Sequence, residues 1–193
     1  MNYHDLPKRK HPRSKRYDYS TPGYYHVTIC SYEKRPIFSS ITERCEQYAP
    51  NVGRGLAPAV QNGASIVLTP IGKIAEEHFN IICRRFSSVR IYNYVIMPDH
   101  IHIIFRLCED TAGASPRPTL MEVVCSFKSL VTNICNKRTN KQGRKIFQTS
   151  FYDTVIWNEE QLQQVSEYIS RNPDRWAANT ERFGKNKYLY IKE

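Results

Sequence analysis

Hydrophobic and polar residues alternate in two rhythms along this chain, and the changes of rhythm divide it into elements. Residues 24–32, Tyr-Tyr-His-Val-Thr-Ile-Cys-Ser-Tyr, are dense in aromatic and β-branched types and follow Pro22-Gly23, so they predict a strand. Thr69-Pro70 supplies an N-cap and a first-turn proline. Ile71, Ile74, Ala75, His78, Phe79 and Ile82 then recur at helical spacing, which predicts a helix to about Arg84. Residues 88–97 predict a strand, Pro98-Asp99 a turn, and residues 100–107 a second strand, together a hairpin. Leu120 to Asn136 places Val123, Val124, Phe127, Leu130, Val131 and Ile134 on one helical stripe. Phe151–Trp157 predicts a short strand. Glu159–Asn172 predicts a helix between a capping Asn158 and Pro173, and a weaker helix follows over 174–182.

The order β-α-β-β-α-β followed by a helix predicts an α+β, ferredoxin-like fold: an antiparallel sheet with two helices on one face, plus a C-terminal helix. Residues 1–20, polar, basic and rich in Pro and Ser, are expected to form a flexible arm; residues 21–182 form the domain and 183–193 a tail. The segments 49–64 and 109–118 lack hydrophobic period and are expected to be loops.

Charge narrows the partners. The 193 residues carry a formal net charge of +10, concentrated in segments. The arm holds Arg9, Lys10, Arg13, Lys15 and Arg16, and the stretch 126–145 holds Lys128, Lys137 and Arg138 among other cations, without an acid. Such runs suit a polyanion, because each cation set against a phosphate backbone releases counterions. These eight residues are the candidate DNA contacts, and the competing reading is a solvated basic surface. Thirteen tyrosines exceed what a core needs, so some, such as Tyr24 or Tyr94, are candidates for stacking on bases. The six cysteines form no C-x-x-C pair, which argues against a sulfur-ligated zinc site and for a reducing, cytoplasmic setting. The longest apolar runs are a few residues, so neither a signal peptide nor a membrane partner is expected.

Two patterns carry candidate chemistry. On a strand, His100 and His102 project to one face while Ile101, Ile103 and Phe105 turn to the other. Two neutral imidazoles a strand step apart can share a divalent ion, with no thiol or carboxylate to complete a structural zinc set. The tripeptide alone reads equally well as surface histidines. Tyr168 and Asn172 lie four apart on the last strong helix and share a face, where a phenol and an amide can approach one phosphate. Taken alone, that pair reads as a packed aromatic and a helix end. His26, on a strand, and His78, on an apolar helix stripe, are further metal candidates. Tyr152 is a rival nucleophile.

Tyr-Asp-Tyr-Ser at 17–20, Pro-Gly-Tyr-Tyr-His-Val-Thr-Ile-Cys at 22–30, Tyr-Val-Ile-Met-Pro-Asp-His-Ile-His at 94–102, Ser-Phe-Lys-Ser at 126–129, Phe-Tyr-Asp at 151–153 and Tyr-Ile-Ser-Arg-Asn-Pro at 168–173 run in one order along the chain. In this combination the sequence resembles the REP-associated tyrosine transposases, single-tyrosine members of the HUH endonucleases. The resemblance implies Mg²⁺ or Mn²⁺ held by His100, His102 and Asn172. It implies Tyr168 as nucleophile, forming a 5′-phosphotyrosine on single-stranded or hairpin DNA with short palindromes. Monomer or homodimer is left open, as is whether the tyrosine serves its own site or a partner's. The competing class is a ferredoxin-like nucleic-acid-binding module without catalysis, for which His100 would be dispensable.

Overall fold

The structure is a computed structural model that describes residues 17–43, 64–109 and 117–183. Arg9, Lys10, Arg13, Lys15 and Arg16, the tail from residue 184, and most of the two loops (44–63 and 110–116) lie outside the described residues.

The elements in chain order are β1 (Gly23–Cys30), β2 (Ser39–Glu43), β3 (Ala64–Leu68), α1 (Pro70–Arg85), β4 (Val89–Ile96), β5 (His100–Leu107), α2 (Leu120–Thr139), β6 (Tyr152–Ile156), α3 (Glu159–Ser170) and α4 (Asn172–Phe183). The main sheet has the order β4-β5-β1-β6, with β1–β5, β1–β6 and β4–β5 all antiparallel. This is the expected ferredoxin-like arrangement.

Strand alternation gives the sheet two chemically different faces. Tyr25, Val27 and Ile29 of β1 and Ile101, Ile103, Phe105 and Leu107 of β5 point to one side. There they join Ile74, Phe79 and Ile82 of α1 and Val123, Val124, Phe127 and Val131 of α2 in one core. Full burial of such side chains is worth about 1.5–3 kcal/mol each, so this layer fixes the register of β5. The opposite face is covered by α3: Leu162 and Ile169 close a smaller core with Val95, Met97, Ile104 and Ile156.

Both predicted caps of α1 and α3 form. Thr69 Oγ1 accepts from Gly72 N at 3.1 Å, and Asn158 Oδ1 accepts from Gln161 N at 2.8 Å. A full capping box, Thr119 with Glu122, starts α2. The chain begins to pack before the expected end of the arm: Tyr19 O accepts from Leu120 N at 3.0 Å, and the Tyr17 hydroxyl lies 3.1 Å from that of Tyr25.

Two features differ from the sequence reading. Strands β2 and β3 pair as a separate antiparallel ribbon, so the loop expected over 49–64 ends before Ala64. The helix expected to end at Asn172 stops at Ser170, and α4 starts at Asn172 with only Arg171 between. Pro173 does not end a helix here. It sits in the first turn of the next one, where a missing N–H costs nothing. No helix among the described residues is long and apolar enough to cross a membrane.

Candidate functional site

The histidines meet on the face beneath α3. Register places Thr28 opposite His102 and His26 opposite Ile104 on β1–β5, and Tyr152 opposite Thr28 on β1–β6. Side chains of paired residues share a face, so His26, Thr28, His100, His102 and Tyr152 all project the same way.

His100 Nε2 and His102 Nε2 lie 3.1 Å apart. Two ligand atoms held about 2.1 Å from one ion at a right angle are separated by about 3 Å. The other ring nitrogens are occupied. His100 Nδ1 lies 2.5 Å from the carboxylate of Asp99, a buried residue. His102 Nδ1 lies 2.9 Å from Thr28 Oγ1 and 3.1 Å from His26 Nε2. Asp99 takes the Nδ1 side of His100, which leaves Nε2 as the atom turned toward its neighbour. Burial first, then the nearby His100, His26 and Lys34, push the pKa of His102 down to about 2. A neutral imidazole is what a divalent ion requires. A 3.1 Å separation is a hydrogen bond when one nitrogen carries the proton, and a divalent ion takes that proton's place when neither does, so the pair fits a metal ion.

His26 and His78 do not join the pair at that point. His26 Nε2 contacts the Nδ1 side of His102, and burial lowers its pKa to about 4. His78 is buried within α1, with Nδ1 2.7 Å from the Ile74 carbonyl oxygen. Among the described residues no group of three or more His, Cys, Asp and Glu is placed to hold a metal ion. Further donors would therefore be an amide or substrate oxygen.

α3 and α4 bring the remaining candidates. The Tyr168 ring centroid is 5.4 Å from that of His102 and 6.3 Å from that of His26, and the side chain is 39% exposed. α3 is tied to β4 through Asn93, whose Nδ2 donates to Ser166 Oγ at 2.8 Å, beside the irregular register at Ile91/Asn93. Asn172 is buried, and its Nδ2 donates to the Tyr168 carbonyl at 3.3 Å. One turn on, the Trp176 ring is 6.0 Å from His100, so the α4 face that carries Asn172 is turned toward the histidines. The ribbon steadies α4: Asp174 Oδ1 accepts from Ala64 N at 2.9 Å, and Trp176, Ile41 and Ile66 pack in the same cluster.

The other predicted residues lie apart from this group. Lys128 Nζ donates to the carbonyl oxygens of Gln148 and Thr149 at 2.7 and 2.8 Å, bracing the segment before β6. Lys137 and Arg138 are exposed in the last turn of α2. Tyr94 bonds Glu76 Oε1 at 3.0 Å and packs on Phe79, on the helix side of the sheet. Tyr24 lies on the histidine face against Tyr92 and Arg106.

Three contributors escaped the sequence reading. Asp99 reads locally as a turn residue. Asn93 reads as one polar residue in a strand. Lys34 stands in a left-handed turn (φ 55°, after Glu33 at φ 58°), a costly backbone for residues other than glycine, and its ammonium interacts with Cys30, Asp99 and Tyr152. No local periodicity marks any of them; the Asp immediately before His-x-His was the one available signal.

A protein of Haemophilus influenzae, described as uncharacterized, is 27% identical over 183 residues, covering 87% of this chain and 89% of that protein. The solved structure of a REP-associated tyrosine transposase bound to a REP hairpin superposes with a TM-score of 0.55 at 17% identity, over 85% of this chain and 73% of that one, a likeness of fold. The family described as "Transposase IS200 like" matches residues 20–172, most of the chain. The chain therefore belongs to the IS200-like transposase family.

Proposed function

We propose that this transposase-family protein is a metal-dependent, single-strand DNA endonuclease and strand transferase that cuts at or near palindromic hairpins through a 5′-phosphotyrosine. The observation that carries this reading is the 3.1 Å approach of the His100 and His102 Nε2 atoms beside the Tyr168 ring.

In this reading His100 and His102 hold Mg²⁺ or Mn²⁺, with Asn172 as third ligand. When bound, the ion supplies charge neutralisation at a phosphoryl oxygen. Asp99 and Thr28 fix the orientation of the two imidazoles. Tyr168 Oη attacks the scissile phosphorus and the 3′-oxygen leaves. The covalent link conserves the energy of the phosphodiester, so a 3′-hydroxyl can reverse the step and strands are joined as well as cut. The substrate is single-stranded at the cut, where a helix-borne side chain can reach the phosphate. Arg9, Lys10, Arg13, Lys15 and Arg16, with Lys137 and Arg138, supply DNA backbone contacts. Lys128 belongs to this proposed set as a cation beside the segment before β6, where its Nζ donates to the carbonyl oxygens of Gln148 and Thr149. The protein works in the cytoplasm, beside chromosomal DNA.

The test is incubation with a panel of palindromic single strands and Mn²⁺. Wild-type protein should form a covalent adduct that chelation abolishes and that Tyr168→Phe lacks. An adduct that persists in Tyr168→Phe assigns the chemistry to another residue, Tyr152 first.

A further inference from the structure

A tyrosine that attacks a phosphate needs a partner for the charge that gathers on the non-bridging oxygens, and of the His100–His102 pair it is the His102 ring that lies beside Tyr168, 5.4 Å between centroids. The guanidinium carbon of Arg175 lies 5.3 Å from the centroid of that ring. Arg175 belongs to the first turn of α4 and Tyr168 to the last turn of α3, so the contact spans the one-residue junction at Arg171. The Arg175 side chain is exposed, and among the described residues no carboxylate lies within ion-pair distance of it. Its neighbour Asp174 is engaged by the Ala64 amide.

A guanidinium set over an aromatic ring keeps its five N–H groups in its own plane, pointing to the rim. Contact with the Tyr168 ring therefore does not use all of them. The others remain available for paired hydrogen bonds to phosphate oxygens, the geometry that distinguishes Arg from Lys.

We propose that Arg175 is a catalytic residue of this site: it steadies the Tyr168 ring and donates from its free edge to the non-bridging oxygens of the scissile phosphate. The inference rests on Tyr168 being the nucleophile. In the cutting step the Tyr168 Oη–P bond forms and the P–O3′ bond breaks. The phenol proton passes to solvent and the 3′-oxygen takes a proton from solvent. Arg175 transfers nothing.

The experiment compares single-turnover adduct formation on two oligonucleotides that share a hairpin and a mapped cut position. One carries the natural phosphodiester, the other a methylphosphonate in which a methyl group replaces one non-bridging oxygen and removes its charge. Arg175→Ala should slow the phosphodiester reaction about 100-fold, the scale of a lost transition-state donor. Its loss on the methylphosphonate, relative to wild type on the same substrate, should be at least about tenfold smaller. Arg175→Lys, which keeps the charge but not the fork, should fall between wild type and Arg175→Ala. The melting midpoint should match wild type.

If Arg175→Ala forms adduct at the wild-type rate, or slows both substrates equally, Arg175 is not the charge partner. Equal slowing with a lowered melting midpoint in both variants assigns it a packing role and also overturns the proposal. Failure of the underlying reading looks different: wild type forms no adduct, or Tyr168→Phe still does, and the inference on Arg175 falls with it.

Discussion

Replacing Asp99 with Asn changes one charge and almost no volume, at a buried residue whose carboxylate lies 2.5 Å from His100 Nδ1. A hydrogen bond to an ionised partner contributes about 1.5–3 kcal/mol, and one between neutral groups about 0.5–1.5 kcal/mol. The substitution therefore costs His100 about 1–1.5 kcal/mol of orientation and basicity. At 1.4 kcal/mol per decade, this is about a tenfold weaker Mn²⁺ site. Losses from removing such outer partners run to about 100-fold, which sets the upper bound. The backbone role of Asp99, whose carbonyl accepts from Ser31 N at 2.9 Å, is untouched, so the fold should hold. Calorimetric titration with Mn²⁺ measures the affinity, and adduct formation against Mn²⁺ concentration checks it: the curve should shift to higher metal and regain most of the wild-type rate at saturation. Unchanged affinity in a variant of unchanged melting midpoint would refute the orienting role of Asp99. A rate that never recovers would place Asp99 in the chemistry rather than behind the ligand.

Three further outcomes follow from the same geometry. A Cβ at Gly72 would collide with the Phe38 carbonyl oxygen, a backbone atom that cannot swing aside, so Gly72→Ala should cost about 2–4 kcal/mol in urea denaturation; a loss below about 1 kcal/mol would mean that α1 shifts freely. In the metal-free protein His26 is held neutral down to about pH 4, whereas the unfolded chain takes up that proton near pH 6.5. Stability contributed by burying neutral His26 is thus present above pH 6.5 and lost as pH falls toward 4, by up to about 3 kcal/mol. His26→Gln should reduce the slope of that dependence and leave the share due to buried His102, and an unaltered profile would count against it. Mn²⁺ should quench Trp176 emission in a Trp157→Phe background, because the Trp176 ring lies 6.0 Å from His100, and His100→Ala should abolish the quenching.

The main sheet and its helices were legible because their residues announce their neighbours locally. His100 to Leu107 alternates in step with its two environments, and the stripe from Ile71 to Ile82 repeats at the helical period. The ribbon of β2 and β3 was not legible, because each strand has five residues and its partner lies beyond twenty intervening positions. Pro173 was misread for a related reason: a proline ends one helix or begins another, and only the packing of α4 on the ribbon decides. Within the site, the His pair and Tyr168 stood out by residue type and spacing. Asp99, Asn93 and Arg175 acquire meaning only once the turn, the irregular strand and the helix junction bring them beside those residues.

β5 carries its main-core side chains (Ile101, Ile103, Phe105, Leu107) and its imidazoles on alternate positions of one strand, so both are set by a single choice of alignment with β1 and β4. Sliding the strand by one position would drive His100 and His102 in among α1 and α2 and bring Ile101 and Ile103 out beneath Tyr168. The hydrophobic cost of such a slip is therefore also a proofreading device: a molecule whose core has formed properly has, by the same act, aimed its histidines.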